Sequence, residues 1–311
     1  MRSKLFPYLF FPGLAFAIIM PQQNLLNQYF LLILMYIGIN IILATSLNLI
    51  NGYMGEFSVG HAGFMLTGAY VSSLLTVKLF PTEWLPWLFP LAIIAGGLGA
   101  ALLGLIVAIP SFKTRGDYLA IVTFAFNMII KSVVENIDAV GAARGLLGMD
   151  RLTNLAWVFF WAAICVWVIK NFVYSKFGRG AQAVREDEPV AELMGVNTRE
   201  VKIWAFVISS FFAGVAGGLF AHLIQYISPA MFDITKSTDI LVMVYLGGVG
   251  SIAGSIIGAT VYTLLLEFLR PLAMWRMVIM PLILIFLMLY RPRGIMGLKE
   301  FFWFIPRRER K

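Results

Sequence analysis

Apolar stretches of roughly 20 residues, the length that crosses about 30 Å of hydrocarbon at 1.5 Å per residue, recur along the chain between short polar segments. Single crossings are predicted near residues 6–20, 29–50, 57–77, 85–110, 117–134, 155–170, 203–224 and 272–290. Basic residues gather at Arg2 and Lys4, at Lys113 and Arg115, from Lys170 to Lys202 and from Arg291 to Lys311, which places these segments on the cytoplasmic face. Segments 78–83, 135–150, 225–239 and 270–276 carry mixed or sparse charge and fall outside. Both termini are then cytoplasmic, the first apolar stretch being read as a retained helix that lacks a small-x-small cleavage site. The predicted fold class is an all-α polytopic membrane protein with about eight crossings.

Residues 240–268 break the alternation. They start outside and must end outside, so the chain goes in and comes back. Gly247, Gly248, Gly250 and Gly254 supply a break in the middle, predicting two paired short helices or a re-entrant hairpin, with one long tilted helix as the alternative. Irregular backbone at membrane depth must be buried in protein or line a water-filled path, which makes Gly247, Gly248 and Gly250 candidate path residues. Residues 51–70 have a similar composition, with glycines and the polar Glu56, Ser58 and His61 interrupting apolar sequence. These three either line a path or pin an unwound segment by hydrogen bonds; the competing reading is an interfacial turn reaching water. Small residues four apart, such as Gly214 with Gly218 and Gly254 with Gly258, predict close helix approach.

The one long polar, helix-forming stretch is 178–202. After Arg185 and Glu186, Asp187 can cap a short helix with Pro189 near its start; Val190, Leu193 and Met194 form an apolar stripe and Gly195 ends it. Asn197 with Glu200 resembles a capping box, and Val196 with Val201 a hydrophobic staple, opening the next span. A short amphipathic helix at the foot of a span is suited to docking a cytoplasmic partner. The alternative is an inert helix lying on the headgroups.

Composition narrows the class. The 311 residues are 60% hydrophobic and 13% charged, with a mean hydropathy of +0.86, more apolar surface than a soluble domain of this length could hide. The chain reads as one transmembrane domain over 1–311, with a cytoplasmic loop at 178–202 and a basic tail at 291–311 suited to anchoring on anionic lipid. The net charge of +8 is accounted for by topology, so no nucleic-acid partner is expected. Cys165 is the only cysteine, and His61 and His222 lie far apart without second ligands, so neither a metal nor a cofactor is expected. No Gly-Lys pair occurs, which excludes a GxxxxGK[ST] phosphate loop and an ATPase site of that kind. An ion-coupled carrier needs carboxylates deep in its spans; Glu56 and Glu267 are the nearest candidates, which argues against that class without removing it, or a membrane scaffold.

Four ordered segments carry a family resemblance. Gly55-Glu56-Phe57-Ser58-Val59-Gly60-His61-Ala62-Gly63-Phe64 with Gly68-Ala69-Tyr70, Arg115-Gly116-Asp117-Tyr118-Leu119-Ala120-Ile121-Val122-Thr123, the loop from Val184 to Ala205-Phe206, and Pro292-Arg293-Gly294-Ile295-Met296-Gly297 resemble permeases of branched-chain amino acid ABC importers, in their LivM-type branch. Glu56 stands where that pattern has Gln, and Val140-Gly141-Ala142-Ala143-Arg144-Gly145 replaces its T-G-G-x-x-G. The resemblance implies a type II ABC importer permease in a bacterial inner membrane. Its implied partners are a LivH-type permease, two cytoplasmic ATPase subunits and an extracytoplasmic binding protein. The loop would be the coupling helix, and the cargo branched-chain amino acids, with urea, short amides or sugars as alternatives.

Overall fold

In the computed structural model the described residues are Gly13, Ala17, 27–112, 118–291, 294–301 and Phe304. Most of the predicted first crossing, the start of the Arg115–Thr123 motif and the terminal basic cluster lie outside them.

The first helix described over its length, α1 (Gln28–Asn48), begins at an Asn27 cap and runs into a widened π turn over Leu49–Met54, ended by Gly55 at φ 78°. Residues 55–60 are non-helical, and α2 (His61–Leu74) follows, widening into a second π turn at Leu75–Leu79. Next come α3 (Leu85–Ser111), α4 (Tyr118–Glu135) and α5 (Leu155–Val173). Two short helices, α6 (Lys176–Glu186) and α7 (Glu188–Leu193), lead into the long α8 (Thr198–Ile224). A short ribbon pairs β1 (Leu146–Leu147) antiparallel with β2 (Tyr226–Ile227), Leu146 opposite Ile227. The chain closes with α9 (Ile234–Gly247), α10 (Ile252–Phe268) and α11 (Arg276–Tyr290).

Among the described residues six helices, those of α1 through α5 and α8 with their π extensions, are long and apolar enough to cross a membrane. In such helices both faces are apolar, so residue size decides which face turns inward. On α3, Trp87, Leu91, Leu98, Leu102 and Ile106 are exposed, whereas Gly96, Gly97, Ala100, Gly104 and Ala108 are buried. They meet α8 and α2 through small residues: a Cβ on Gly68 would collide with the Gly214 backbone, one on Gly217 with the Met65 carbonyl, and one on Gly104 with Ser210. The Gly214–Gly218 spacing seen in the sequence thus lies in the seam of α2, α3 and α8.

The glycine-rich stretch near 248 is broken, as its composition predicts. α9 and α10 are separate helices that pack on each other, Gly247 facing Gly254 and Gly258 facing Met243 so closely that no side chain fits at either glycine. The first of the two starts earlier than the apolar run suggests, because the Asp233 carboxylate accepts from the Ile234 N–H at 2.8 Å and caps it there.

Candidate coupling face and translocation path

The segment from Ser175 to Lys202 is ordered by local capping. Ser175 Oγ accepts from the Gly178 N–H and opens α6, a helix whose buried face is Gly178, Gly180, Ala181 and Val184. Asp187 then leaves helical geometry and its carboxylate accepts from the Val190 N–H at 3.1 Å, opening α7 with Pro189 in its first turn. Gly195, at φ 81° and with open space where a side chain would begin, terminates it, and the Gly195 and Val196 N–H groups donate to the Glu192 and Ala191 carbonyls. The Asn197 side chain accepts from the Glu200 N–H, while its own amide donates to the Glu200 carboxylate, a variant of the predicted box. Val196 and Val201 converge on Gly180, which welds α6 to the start of α8.

The result is a rigid step with an apolar tread. Ala191 is buried and holds α7 down, and Thr198 Oγ1 donates to Glu192 at 2.9 Å. Val190, Leu193 and Met194 point away, at 52%, 86% and 80% exposure. Three apolar side chains this open on so short and well-anchored a helix form the kind of exposed apolar patch that marks a protein or membrane contact.

Behind the step lie the residues expected to line the path, and the structure separates them. Glu56 lies beside α7: its carboxylate pairs with Lys202 Nζ at 2.5 Å, and the same ammonium pairs with Glu188 of α7 at 2.8 Å. Lys202 is almost fully covered and also lies over the Phe112 ring. Arg185 donates to the Gly52 carbonyl at 3.1 Å and pairs with the exposed Glu186 at 2.6 Å. Ser58 and His61 lie deeper and are buried. The Ser58 N–H donates to Asn51 Oδ1, and His61 Nε2 lies 2.9 Å from Ser46 Oγ. Ser46 Oγ donates to the Leu43 carbonyl at 3.0 Å, which leaves its lone pairs to face His61 Nε2. Among the described residues neither His61 Nδ1 nor the Ser58 hydroxyl has a partner.

The two glycine-rich breaks meet. A Cβ on Gly52 would collide with the Gly250 nitrogen, and Asn48 stitches the contact: its Oδ1 accepts from the Gly250 N–H at 2.9 Å and its amide donates to the Ser251 carbonyl and Ser255 Oγ. Gly248 and Gly250, at φ 136° and 81°, take backbone conformations only glycine adopts freely. Gly247 is the packing glycine and Gly248–Gly250 the turn.

Sequence reasoning missed three residues here. Asn48 was hidden inside an apolar run, where a lone polar residue is the available signal, and Lys202, at the end of the polar stretch, was counted only among the basic residues that set topology. Glu300 was hidden in a tail expected only to anchor. Its carboxylate accepts from Tyr53 Oη at 2.7 Å and from the Ile252 and Ala253 N–H groups at 2.6 and 3.1 Å, satisfying the start of α10 with a charge of the sign that a helix N-terminus favours. The Ile295 and Met296 N–H groups donate to the Leu246 and Gly247 carbonyls at the end of α9. Residues 294–301 are therefore a clasp over the α9–α10 break.

Residues 29–289 match the family described as branched-chain amino acid transport system / permease component, and the chain belongs to that family. It is 30% identical over 293 residues to the high-affinity branched-chain amino acid transport system permease protein LivM of Escherichia coli (strain K12), covering 83% of this chain and 68% of that protein. It is 25% identical to LivH of the same organism, over 83% of this chain and 91% of that one. The probable LivM of Methanocaldococcus jannaschii is 24% identical, over 75% of this chain and 79% of that protein. No solved structure matches the chain. The chain is thus a multi-pass membrane protein of a permease family whose relatives include LivM and LivH.

Proposed function

We propose that this chain is the permease subunit of an ATP-driven importer of branched-chain amino acids, driven through α7 by separate ATPase subunits. The observation that carries the reading is the exposed Val190, Leu193 and Met194 tread, joined to the membrane breaks by Lys202 and Arg185. With no phosphate loop in the chain, the power has to enter across such a surface. A related permease would complete the pair, and an extracytoplasmic binding protein would deliver the cargo. The chain would cross a bacterial inner membrane about eight times with both termini inside, α9–α10 being a hairpin that enters from outside.

In this mechanism ATP binding closes the ATPase pair and moves α7. Lys202 passes the displacement from Glu188 to Glu56 and so to residues 55–60, while Arg185 passes it to Gly52. Because Gly52 abuts Gly250, both breaks shift together and access changes sides. The permease does no covalent chemistry; its residues supply a path and a lever.

The test is Leu193→Asp. Burying a carboxylate in an apolar groove is strongly unfavourable, so ATPase subunits should no longer co-purify and uptake should fall at least about tenfold, with membrane insertion unchanged. Persistence of both association and uptake would show that α7 is not the docking element.

A further inference from the structure

The two short helices of the polar stretch present different chemistry. α7 shows Val190, Leu193 and Met194, whereas the first turn of α6 shows Lys176, Phe177 and Arg179, all exposed. Every acid between 176 and 202 is engaged close by: Glu186 pairs with Arg185 and Glu188 with Lys202, Asp187 caps α7, Thr198 donates to Glu192, and Asn197 donates to Glu200. Among the described residues neither Lys176 nor Arg179 has a carboxylate within ion-pair distance.

The position of α6 says what can meet these two cations. A Cβ on Gly178 would collide with the Phe172 and Val173 carbonyls at the end of α5, and one on Gly180 would press on Val196 and Val201 at the start of α8. α6 therefore lies across the feet of two spans. Each of those spans carries one exposed tryptophan, Trp167 on α5 and Trp204 on α8. Trp167 precedes the end of α5 at Val173, and Trp204 follows the start of α8 at Thr198, in both cases by about 9 Å of helix. Exposed tryptophans at one level on joined spans mark the boundary between hydrocarbon and headgroups. The headgroup layer beyond that boundary is roughly 5–7 Å deep, so α6 lies at its far edge, and the long stems of Lys176 and Arg179 let their charges reach back into it. A zwitterionic headgroup offers these cations no net charge; an anionic one does.

We propose that Lys176 and Arg179 form a binding site for the headgroup of an anionic phospholipid. The polar stretch then serves two partners, α6 resting on the bilayer while α7 keeps its apolar tread free for a protein. This rests on the membrane reading of α5 and α8 and is independent of the cargo.

The test uses the full chain, purified with its associated subunits, in vesicles of equal parts phosphatidylglycerol and phosphatidylcholine, with p-benzoyl-phenylalanine in place of Phe177. Irradiation should attach phosphatidylglycerol to the peptide that contains position 177 at least about threefold more often than phosphatidylcholine, as read by mass spectrometry. Lys176→Gln with Arg179→Gln should abolish that preference while phosphatidylcholine is still attached, which shows that the variant sits in the bilayer. Lys176→Arg with Arg179→Lys should keep it. Where the Gln pair fails to insert, Lys176→Gln alone should weaken the preference. Equal attachment of both lipids, a preference unchanged by the Gln substitutions, attachment to another subunit in place of lipid, or no attachment at all would each overturn the proposal, the last two by assigning this turn to a protein contact or to water.

Discussion

Lys202 holds two carboxylates at once, one on the segment before α2 and one on α7. Replacing it by Met leaves both acids without their cation. Breaking a buried pair costs roughly 3–5 kcal/mol, but Glu56 and Glu188 keep some contact with water, so about 2 kcal/mol is expected here. Glu56→Gln retains a hydrogen-bond acceptor and leaves Glu188 in place, for a loss of about 1 kcal/mol. Unfolding in mixed micelles should rank the variants wild type, Glu56→Gln, Lys202→Met, with uptake following the same order; equal stability of all three would remove the ion triad from the mechanism. The caps at Asp187 and Asn197 were legible in the sequence because a cap and its amide lie three residues apart. Lys202 and Glu56 are 146 residues apart, and nothing local in either announces the other.

Elements were legible wherever hydropathy or turn chemistry spoke. α7 and the start of α8 fall where the Asp187, Gly195 and Asn197 signals put them, and the α9–α10 break falls among its glycines. α6 was not recognised as a separate helix, because its inward face is Gly178, Gly180 and Ala181, small residues that register as neither apolar nor amphipathic. The glycines themselves have opposite roles that only contacts distinguish. Gly195 is there for its left-handed φ and faces open space, so Gly195→Ala should cost about 1–2 kcal/mol and leave ATPase co-purification intact. Gly68 is there for close approach to Gly214, and Gly68→Ala forces α2 from α8, an overpacking cost of about 1–3 kcal/mol that should also depress uptake. Thermal stability in detergent alongside uptake separates the two; a Gly68→Ala variant as active as wild type would mean that the seam is loose enough to absorb a methyl group.

Across the whole molecule, α7, the π turn of α1, the α9–α10 break and the clasp at 294–301 are linked at one end by Lys202, Arg185, Asn48 and Glu300. Glu300→Ala removes the carboxylate that satisfies the Ile252 and Ala253 N–H groups. Amide hydrogen exchange there should rise at least about tenfold, the equivalent of about 1.4 kcal/mol, and uptake should fall; unchanged exchange would reduce the clasp to a passive anchor. The order of residues is enough to establish that this chain is an α-helical membrane protein, which segments are apolar enough to span, where the polar step begins and ends, and to which permease family its motifs point. Each of these follows from composition, from periodicity or from groups a few residues apart. It took the folded arrangement to show that Glu56 pairs with Lys202 beside α7, that the two glycine-rich breaks touch, and that Glu300 closes one of them. Those facts depend on pairings across one hundred to two hundred and more residues, between helices whose faces are all apolar, so that size, fit and the few embedded charges set the arrangement and hydropathy carries no record of it.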